Sequence, residues 1–153
     1  MRRNEKEIKD KELIKNIIEK STVCRIAMAL NNSPYIVPVI FGYEDNFLYI
    51  HSAPEGKKIE ILKQNNNVCF EMDINHEIVK SDTPCKWSMN YYSIIGYGKA
   101  SFINDFQEKI NAMNIIMKHY SSSNSHKYYE KIVNNLAIIK IEIEKITGKK
   151  SGY

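Results

Sequence analysis

Two adjacent lysines, Lys57 and Lys58, follow a sequence that is typical of the start of a helix. The preceding Ser52-Ala53-Pro54-Glu55 has the spacing of a capping box, in which the serine accepts a hydrogen bond from a first-turn amide and the glutamate reaches back. Pro54 stands where a missing amide hydrogen costs little. Helix starts offer unpaired amides and a positive dipole end, so anions bind there readily. The sequence therefore predicts a phosphate site at the two lysines. The alternative is a solvated lysine pair on an ordinary surface helix.

The other reactive residue types form no recognisable catalytic or metal motif. The sequence has no nucleophile elbow, no P-loop and no HExxH helix. Its histidines are spread along the chain at His51, His76, His119 and His126. Its cysteines are also widely spaced, at Cys24, Cys69 and Cys85, without a CxxC pair, so neither a disulfide framework nor a zinc site is indicated. We therefore expect no metal, and we expect any chemistry to come mainly from a bound cofactor.

Composition narrows the class of protein further. The chain has 153 residues, of which 43% are hydrophobic and 26% charged, with a net charge of +4. These values predict one globular domain over residues 1–153. The modest positive charge does not concentrate in a basic arm, which argues against a nucleic-acid partner. No apolar leader and no run of eighteen apolar residues is present, so we expect a cytoplasmic protein without a membrane partner.

The periodicity of the sequence predicts the elements that position the lysine pair. Six stretches read as strands, at 22–30, 35–43, 47–50, 68–72, 91–103 and 136–146. Helical periodicity follows Asp10, Pro54 and Asp105, and a short helix is possible within 126–134. Since most strands follow one another through turns, we expect an α+β fold, an antiparallel six-stranded β-barrel with flanking helices.

Three features of this barrel are of interest. Pro38 lies within a strand, and proline cannot donate to a ladder, so it indicates a sheet edge or a bulge. Small residues in the strand 91–103 leave room for close approach by a helix, a sheet or a flat ring. The irregular segment 74–89 carries the only tryptophan, Trp87, which either covers a planar ligand or packs against the core or a second subunit. We also predict that Asp105 caps a helix with a buried stripe; its members are Phe106, Ile110, Met113, Met117 and Tyr120.

Several stretches of the chain resemble a known family. They are CRIAMALNNSPYIVPVIFGYED (24–45), LYIHSAPEGKKIEILKQNNNVCFEMD (48–73), YYSIIGYGKASFI (91–103), ITGKKSG (146–152), the helix 104–120 and the opening residues 1–3. In this order they resemble the pyridoxamine 5′-phosphate oxidase-related flavoproteins, and within them the group that contains the nitroimidazole resistance proteins. The resemblance implies a split β-barrel homodimer that binds one flavin mononucleotide (FMN) in each of two clefts between the subunits.

The resemblance also implies which residues bind the cofactor. It assigns Lys57 and Lys58 to the flavin phosphate, together with His51 and Ser52. The remaining assignments are Arg25 near the cofactor, Val37, Pro38 and Val39 against the isoalloxazine ring, and Trp87, Tyr91 and Ser93 in a segment of the partner subunit that closes the cleft. Two positions depart from the pattern: Val37 stands where relatives of the oxidase carry arginine, and Tyr92 where closer relatives often do.

These observations leave three functions open. The first is a flavin-dependent oxidoreductase that takes electrons from a nicotinamide donor and reduces a small acceptor, conceivably a nitroaromatic drug. The second is a protein that binds or stores flavin or haem without turnover. The third and least favoured is oxidation of pyridoxamine phosphate, because the C-terminal arginine-containing substrate motif of the true oxidases is missing. The sequence identifies neither the catalytic residues nor the physiological substrate and donor.

Overall fold

The computed structural model describes residues 4–123 and 125–153, so residues 1–3 of the resemblance lie outside it. In this part of the chain one antiparallel sheet has the strand order β3-β2-β6-β7-β8-β5-β4, with β1 on the free part of β8. The strands are β1 (Glu7–Ile8), β2 (Cys24–Leu30), β3 (Ser33–Val39), β4 (Gly42–Glu44), β5 (Phe47–Ser52), β6 (Asn67–Val79), β7 (Ser88–Ile103) and β8 (Ala137–Ser151).

Four α-helices flank the sheet: α1 (Lys11–Lys20), α2 (Lys57–Gln64), α3 (Phe106–Tyr120) and α4 (Glu130–Asn134). Two of the predicted caps are confirmed, because Asp10 accepts from the amide of Glu12 and Asp105 from the amide of Glu108, both at 2.9 Å. None of the helices within 4–123 and 125–153 is long and apolar enough to cross a membrane.

The two edge strands of the sheet are consecutive in the chain. Only Ile40 and Phe41 separate β3 from β4, so the sheet curls into a barrel that is split between them. Phe41 is fully buried, and its amide donates to the hydroxyl of Tyr120 at 3.0 Å rather than to a strand. This contact breaks the strand predicted over 35–43 into two. The edge position of β3 confirms the prediction for Pro38.

The strand count differs from the predicted six, while the architecture is the expected antiparallel split barrel. The division of one predicted strand and the added β1 bring the count to eight in the described residues. β6 and β7 also extend beyond their predicted ends, so much of the irregular segment 74–89 is a two-stranded arm in which Ile78 pairs with Met89. A bulge between Ile74 and Glu77 bends this arm, with Asn75 at a φ of 56°.

The inner face of the sheet holds the core. Along β7, buried and exposed residues alternate as predicted, with Ile94 buried and Ile95 and Tyr97 exposed. At Gly96, a Cβ atom would overlap the ring of Phe70 on the neighbouring strand. The space that this glycine leaves is therefore filled by the protein's own core, not by a cofactor ring.

The predicted stripe of α3 is partly wrong. Phe106 and Tyr120 are 37% and 38% exposed. The buried residues of this helix are Lys109, Ala112, Met113 and Ile116. Lys109 can be buried because its ammonium donates to three main-chain oxygens at and just after the end of α4. These are the oxygens of Val133 at 3.5 Å, Asn134 at 3.4 Å and Leu136 at 2.7 Å. These acceptors replace water around a buried charge.

Candidate functional site

The helix that carries the lysine pair begins without a side-chain cap. α2 starts at Lys57, its N-cap residue is Gly56, and in the part of the chain that the structure describes no side-chain cap accepts from its first amides. The capping box predicted at Ser52–Glu55 is therefore wrong: Gly56 turns the chain at a φ of 112°, which glycine adopts freely, and delays the helix. Apart from Gly56 itself and its two chain neighbours, no atom in residues 4–123 and 125–153 lies within 4 Å of where its Cβ would be. The first turn is thus open to an external acceptor.

The two lysines differ in their surroundings but share one property. Lys57 is exposed, and its ammonium lies 5.0 Å from the centroid of the Tyr35 ring, a cation–π distance. Lys58 is half-buried, and this burial lowers the pKa of its ammonium. Among the described residues neither forms an ion pair with a carboxylate. Both charges are therefore available to a ligand.

His51 lies beside Lys58 at the end of β5. Burial, and secondly the charge of Lys58, lower the pKa of its imidazole. Its Nδ1 atom is buried without a hydrogen-bond partner in the described structure. Orphaned buried polar atoms are uncommon in folded proteins, and a ligand is one explanation for them. The adjacent Ser52 is half-buried and pairs with Ala137 at the start of β8.

The three candidate residues of β3 present their backbone rather than large side chains. Val37 and Val39 pair with Ile26 and Cys24 and pack against the core. Pro38 points the other way and is exposed. Because β3 is an edge strand, its outer main-chain groups have no ladder partner. A planar ligand against this strand would meet main-chain groups, as the resemblance implied.

Arg25 differs from the lysine pair because carboxylates already hold its charge. Its Nη1 atom lies 2.7 Å from an oxygen of Asp73 and 3.2 Å from one of Glu71. The hydrogen bond and charge of Asp73 raise the pKa of the guanidinium. Asp73 also contacts the ring of His76. In one chain, Arg25 is thus part of a polar network on the outer face of the sheet.

The three remaining candidates lie towards the other end of the long strands. Trp87 is 52% exposed, and its indole N–H donates to the carbonyl of Ser81 at 2.7 Å. Ser93 pairs with Asp73 on one side and Lys149 on the other. The ring of Tyr91 lies 5.8 Å from the Lys149 ammonium.

Two of the candidate residues, Ser52 and Tyr91, lie near opposite ends of β8. Ser52 pairs with Ala137, the first residue of β8, and Tyr91 pairs with Ser151, the last. β8 has 15 residues. At roughly 3.3 Å per residue its ends are roughly 45 Å apart along the strand. Arg25 and Pro38 lie nearer the arm end, because Arg25 pairs with Pro38 and donates to Asp73, the cross-strand partner of Ser93.

Two residues near these candidates had received no assignment. The Tyr35 ring lies against the Lys57 ammonium, and the Lys149 ammonium lies near the ring of Tyr91. Lys149 belongs to the terminal stretch ITGKKSG of the resemblance. The resemblance therefore covers Lys149, but only the strand register shows that Lys149 lies on the same face of the sheet as Ser93.

Comparison with known proteins agrees with this architecture. A family model described as pyridoxamine 5′-phosphate oxidase matches residues 10–150. The chain belongs to this oxidase-like family. A crystal structure from Bacteroides thetaiotaomicron, described as a candidate 5-nitroimidazole antibiotic resistance protein, is 40% identical, with a TM-score of 0.84 over 94% of this chain and 86% of that one. This relative confirms the resemblance to the nitroimidazole resistance group.

Two more distant matches are one solved structure and one sequence. The FAD and haem binding protein of Mycobacterium smegmatis is 14% identical, with a TM-score of 0.84 over 97% of this chain and 74% of that one. A curated, uncharacterized protein of Rhizobium meliloti is 28% identical over 65 residues, which is 42% of each chain. This chain thus spans less than half of that curated relative, and the match carries no assignment of activity.

Proposed function

We propose that the protein binds FMN and uses it to transfer electrons from a nicotinamide donor to a small acceptor, with a nitroimidazole as the candidate substrate. The observation that carries this proposal is the pair of unpaired lysines at an uncapped helix start, beside the orphaned Nδ1 of His51. A phosphate supplies the negative charge and the acceptor oxygens that these groups lack. The family and the 40% identical relative support flavin chemistry.

Each part of the proposed cleft has a separate task. Lys57 and Lys58, with the first amides of α2, hold the phosphate. His51 and Ser52 add hydrogen bonds at the end of β5. The edge of β3 contacts the ring through its backbone at 37–39. The bound flavin would supply the hydride chemistry, so the protein needs to supply only binding, orientation and exclusion of water.

We further propose that the cleft forms between two copies of the chain. Ser52 and Tyr91 lie near opposite ends of β8, and a second copy of the chain would bring Trp87, Tyr91 and Ser93 to the phosphate end. The outer face of the sheet also exposes large apolar side chains, including Ile36 at 60%, Ile95 at 41% and Tyr97 at 49%. Such a surface is typical of a protein interface.

The first test is the absorption spectrum of the purified protein, with identification of whatever heat denaturation releases. We expect FMN at about one per chain, and sedimentation that corresponds to a dimer. Anaerobic mixing with NADH and a 5-nitroimidazole should then give oxidation of NADH that depends on the acceptor. A colourless protein that takes up no added FMN would refute the proposal.

A second candidate function is flavin or haem binding without turnover. It is favoured by the residues of the proposed phosphate end, which are cations, a hydroxyl and a histidine, without a carboxylate paired to them. The FAD and haem binding relative has the same fold. FMN binding without reduction by NADH, or by NADPH, would favour this candidate. Oxidation of pyridoxamine phosphate would instead support the third function.

A further inference from the structure

We propose that His76 donates the proton that a nitro acceptor takes up when it is reduced, and that Asp73 orients the imidazole for this step. This inference rests on the proposed function. It names a catalytic residue for that function, which the resemblance does not supply.

The proposed reduction consumes a proton. When a nitro group takes up one hydride and one proton, one of its oxygens leaves as water and a nitroso group remains. NADH provides the hydride through the cofactor and is oxidised by two electrons, so the protein has to provide only the proton. Histidine is the side chain most often used for such transfers, because imidazoles change charge near neutral pH.

The imidazole of His76 is held at one nitrogen and open at the other. Its Nε2 atom contacts a carboxylate oxygen of Asp73, and 45% of the His76 side chain is exposed. In residues 4–123 and 125–153 its Nδ1 atom has no hydrogen-bond partner. An imidazole oriented by a carboxylate is a recurring arrangement in acid–base catalysis. The open nitrogen can therefore give its proton to a ligand and regain one from solvent.

Asp73 is itself fixed in position. One of its carboxylate oxygens accepts from Nη1 of Arg25 at 2.7 Å, and the other contacts His76. The Asp73 side chain is only 23% exposed. A carboxylate next to an imidazole also favours the protonated ring. Asp73 thus determines both the orientation and the charge of the proposed donor.

The backbone around His76 is bent at this point of β6. His76 lies within the bulge between Ile74 and Glu77, directly after Asn75, which has a φ of 56°. The hydroxyl of Tyr153 donates to the carbonyl of Asn75 at 3.0 Å and holds the bulge. Bulges redirect side chains and are frequent next to active sites. The bulge places the imidazole beside Asp73, three residues back along the strand.

Contacts within one chain connect this histidine with the strand that is proposed to contact the ring. Pro38 of β3 is the cross-strand partner of Arg25, and both are exposed on the outer face of the sheet. Arg25 binds Asp73, which contacts His76. An acceptor that stacks on a ring at Pro38 would therefore lie on the face that carries the imidazole.

Two carboxylates provide a matched pair of variants. Asp73 and Glu71 both accept from Nη1 of Arg25, at 2.7 and 3.2 Å, but of the two only Asp73 forms a hydrogen-bonding contact with the imidazole. We would prepare Asp73→Asn, Glu71→Gln and His76→Gln, the last of which keeps a donor to Asp73 but cannot transfer a proton. Each FMN-loaded variant would be assayed with NADH and either a 5-nitroimidazole or ferricyanide. Ferricyanide takes up one electron and no proton, so its reduction needs no proton donor.

We expect His76→Gln to lower turnover with the nitroimidazole on the order of a hundredfold, the usual contribution of a general acid. Turnover with ferricyanide and the dissociation constant of FMN should stay within about twofold of wild type, a margin well below one factor of ten in affinity. Asp73→Asn should also lower nitroimidazole turnover, and Glu71→Gln should change it little. Unchanged nitroimidazole turnover in His76→Gln, or an equal loss with both acceptors, would overturn the inference.

A titration without cofactor tests the role of Asp73 separately. In the apoprotein, proton NMR would follow the C2 proton of the His76 ring from pH 5 to 9, assigned by its absence in His76→Gln. The charged groups near the ring are Asp73, Glu71 and Arg25. Asp73→Asn should move the midpoint to lower pH, because the lost carboxylate no longer favours the protonated ring, and by more than Glu71→Gln does. Equal midpoints in all three proteins would refute the assignment of Asp73. A wild-type protein that binds no FMN would instead refute the proposed function.

Discussion

Two lysines near helix starts, Lys109 on α3 and Lys58 on α2, show how differently one residue type is used in this fold. Lys109 is 9% exposed and donates to three carbonyl oxygens at the end of α4. Lys58 is half-buried, and burial lowers its pKa without a carboxylate to oppose the effect. The fold supplies hydrogen-bond acceptors to the Lys109 ammonium. In the described residues the Lys58 ammonium has no carboxylate partner and is available to a ligand.

This difference gives a practical criterion. A lysine whose hydrogen bonds are complete stabilises the protein, and a lysine that the fold desolvates but leaves unpaired is a candidate for ligand binding. The criterion predicts that mutations at the two sites separate stability from binding. The predictions below test that separation, from the largest expected effect to the smallest.

Replacing Lys57 and Lys58 together by Ala should have the largest effect, a loss of FMN affinity of about a hundredfold or more. Two charge-assisted contacts to the phosphate are lost, each worth about 1.5–3 kcal/mol. Titration of the apoprotein with FMN measures this loss. Urea unfolding of the apoprotein should show an unchanged free energy of unfolding. Lys63→Ala, an exposed lysine at the far end of α2, is the control. Unchanged FMN content in the double variant would show that Lys57 and Lys58 are ordinary surface lysines.

Replacing Lys109 by Met should lower stability and leave FMN affinity unchanged. The methionine fills much of the volume but leaves three main-chain carbonyls, one buried and two part-buried, without their donor, which should lower the free energy of unfolding by about 1–3 kcal/mol. FMN affinity of the folded protein should not change. Urea unfolding of Lys109→Met beside Lys118→Met, an exposed lysine of the same helix, checks this. A loss as small as that of the control would contradict the structural assignment of Lys109.

Trp87→Ala should cost the isolated subunit about 1 kcal/mol or less, because the side chain is 52% exposed. In the proposed dimer it should weaken FMN binding or subunit association several-fold, since the arm would close the cleft. Titration and sedimentation equilibrium would measure both, with Tyr129→Ala, at 70% exposure, as the control. A variant that remains a fully loaded dimer and only melts earlier would assign Trp87 to packing.

The smallest effect concerns pH. Since the pKa of His51 is lowered in the folded apoprotein, the unfolded chain binds more protons once the pH falls below about 6.5, its usual pKa. This contribution to stability is therefore complete at neutral pH and decreases as the solution is acidified. Urea unfolding of the apoprotein between pH 8 and 5 should show a shallower decline for His51→Asn than for wild type. Parallel curves would show that the fold does not hold His51 in its neutral form.

Much of the fold could be predicted because its causes are local. Asp10 and Asp105 cap helices through amides only two or three residues away. The alternation of β7 follows from the two-residue period of any strand, and Pro38 is confined to an edge by its missing amide hydrogen. The capping box at Ser52–Glu55 failed because Gly56, one residue further on, offered the chain an easier turn.

The features that were not predicted depend on residues distant in sequence. Lys109 is buried because carbonyls at the end of α4 accept from its ammonium, and the helical period of α3 does not predict this contact. The break between β3 and β4 depends on a hydroxyl from Tyr120. Lys149 could be related to Tyr91 and Ser93 only through the register of β7 and β8.

By itself, the sequence determined the strands and helices, the family and the basic helix start, because periodicity, capping and turn chemistry act over a few neighbouring residues. The tertiary structure decided which charges are already paired, which side of the sheet each candidate residue occupies, and that Ser52 and Tyr91 lie near opposite ends of β8. Pairing and register are long-range properties: they depend on which strands meet across the sheet, and no local pattern encodes that.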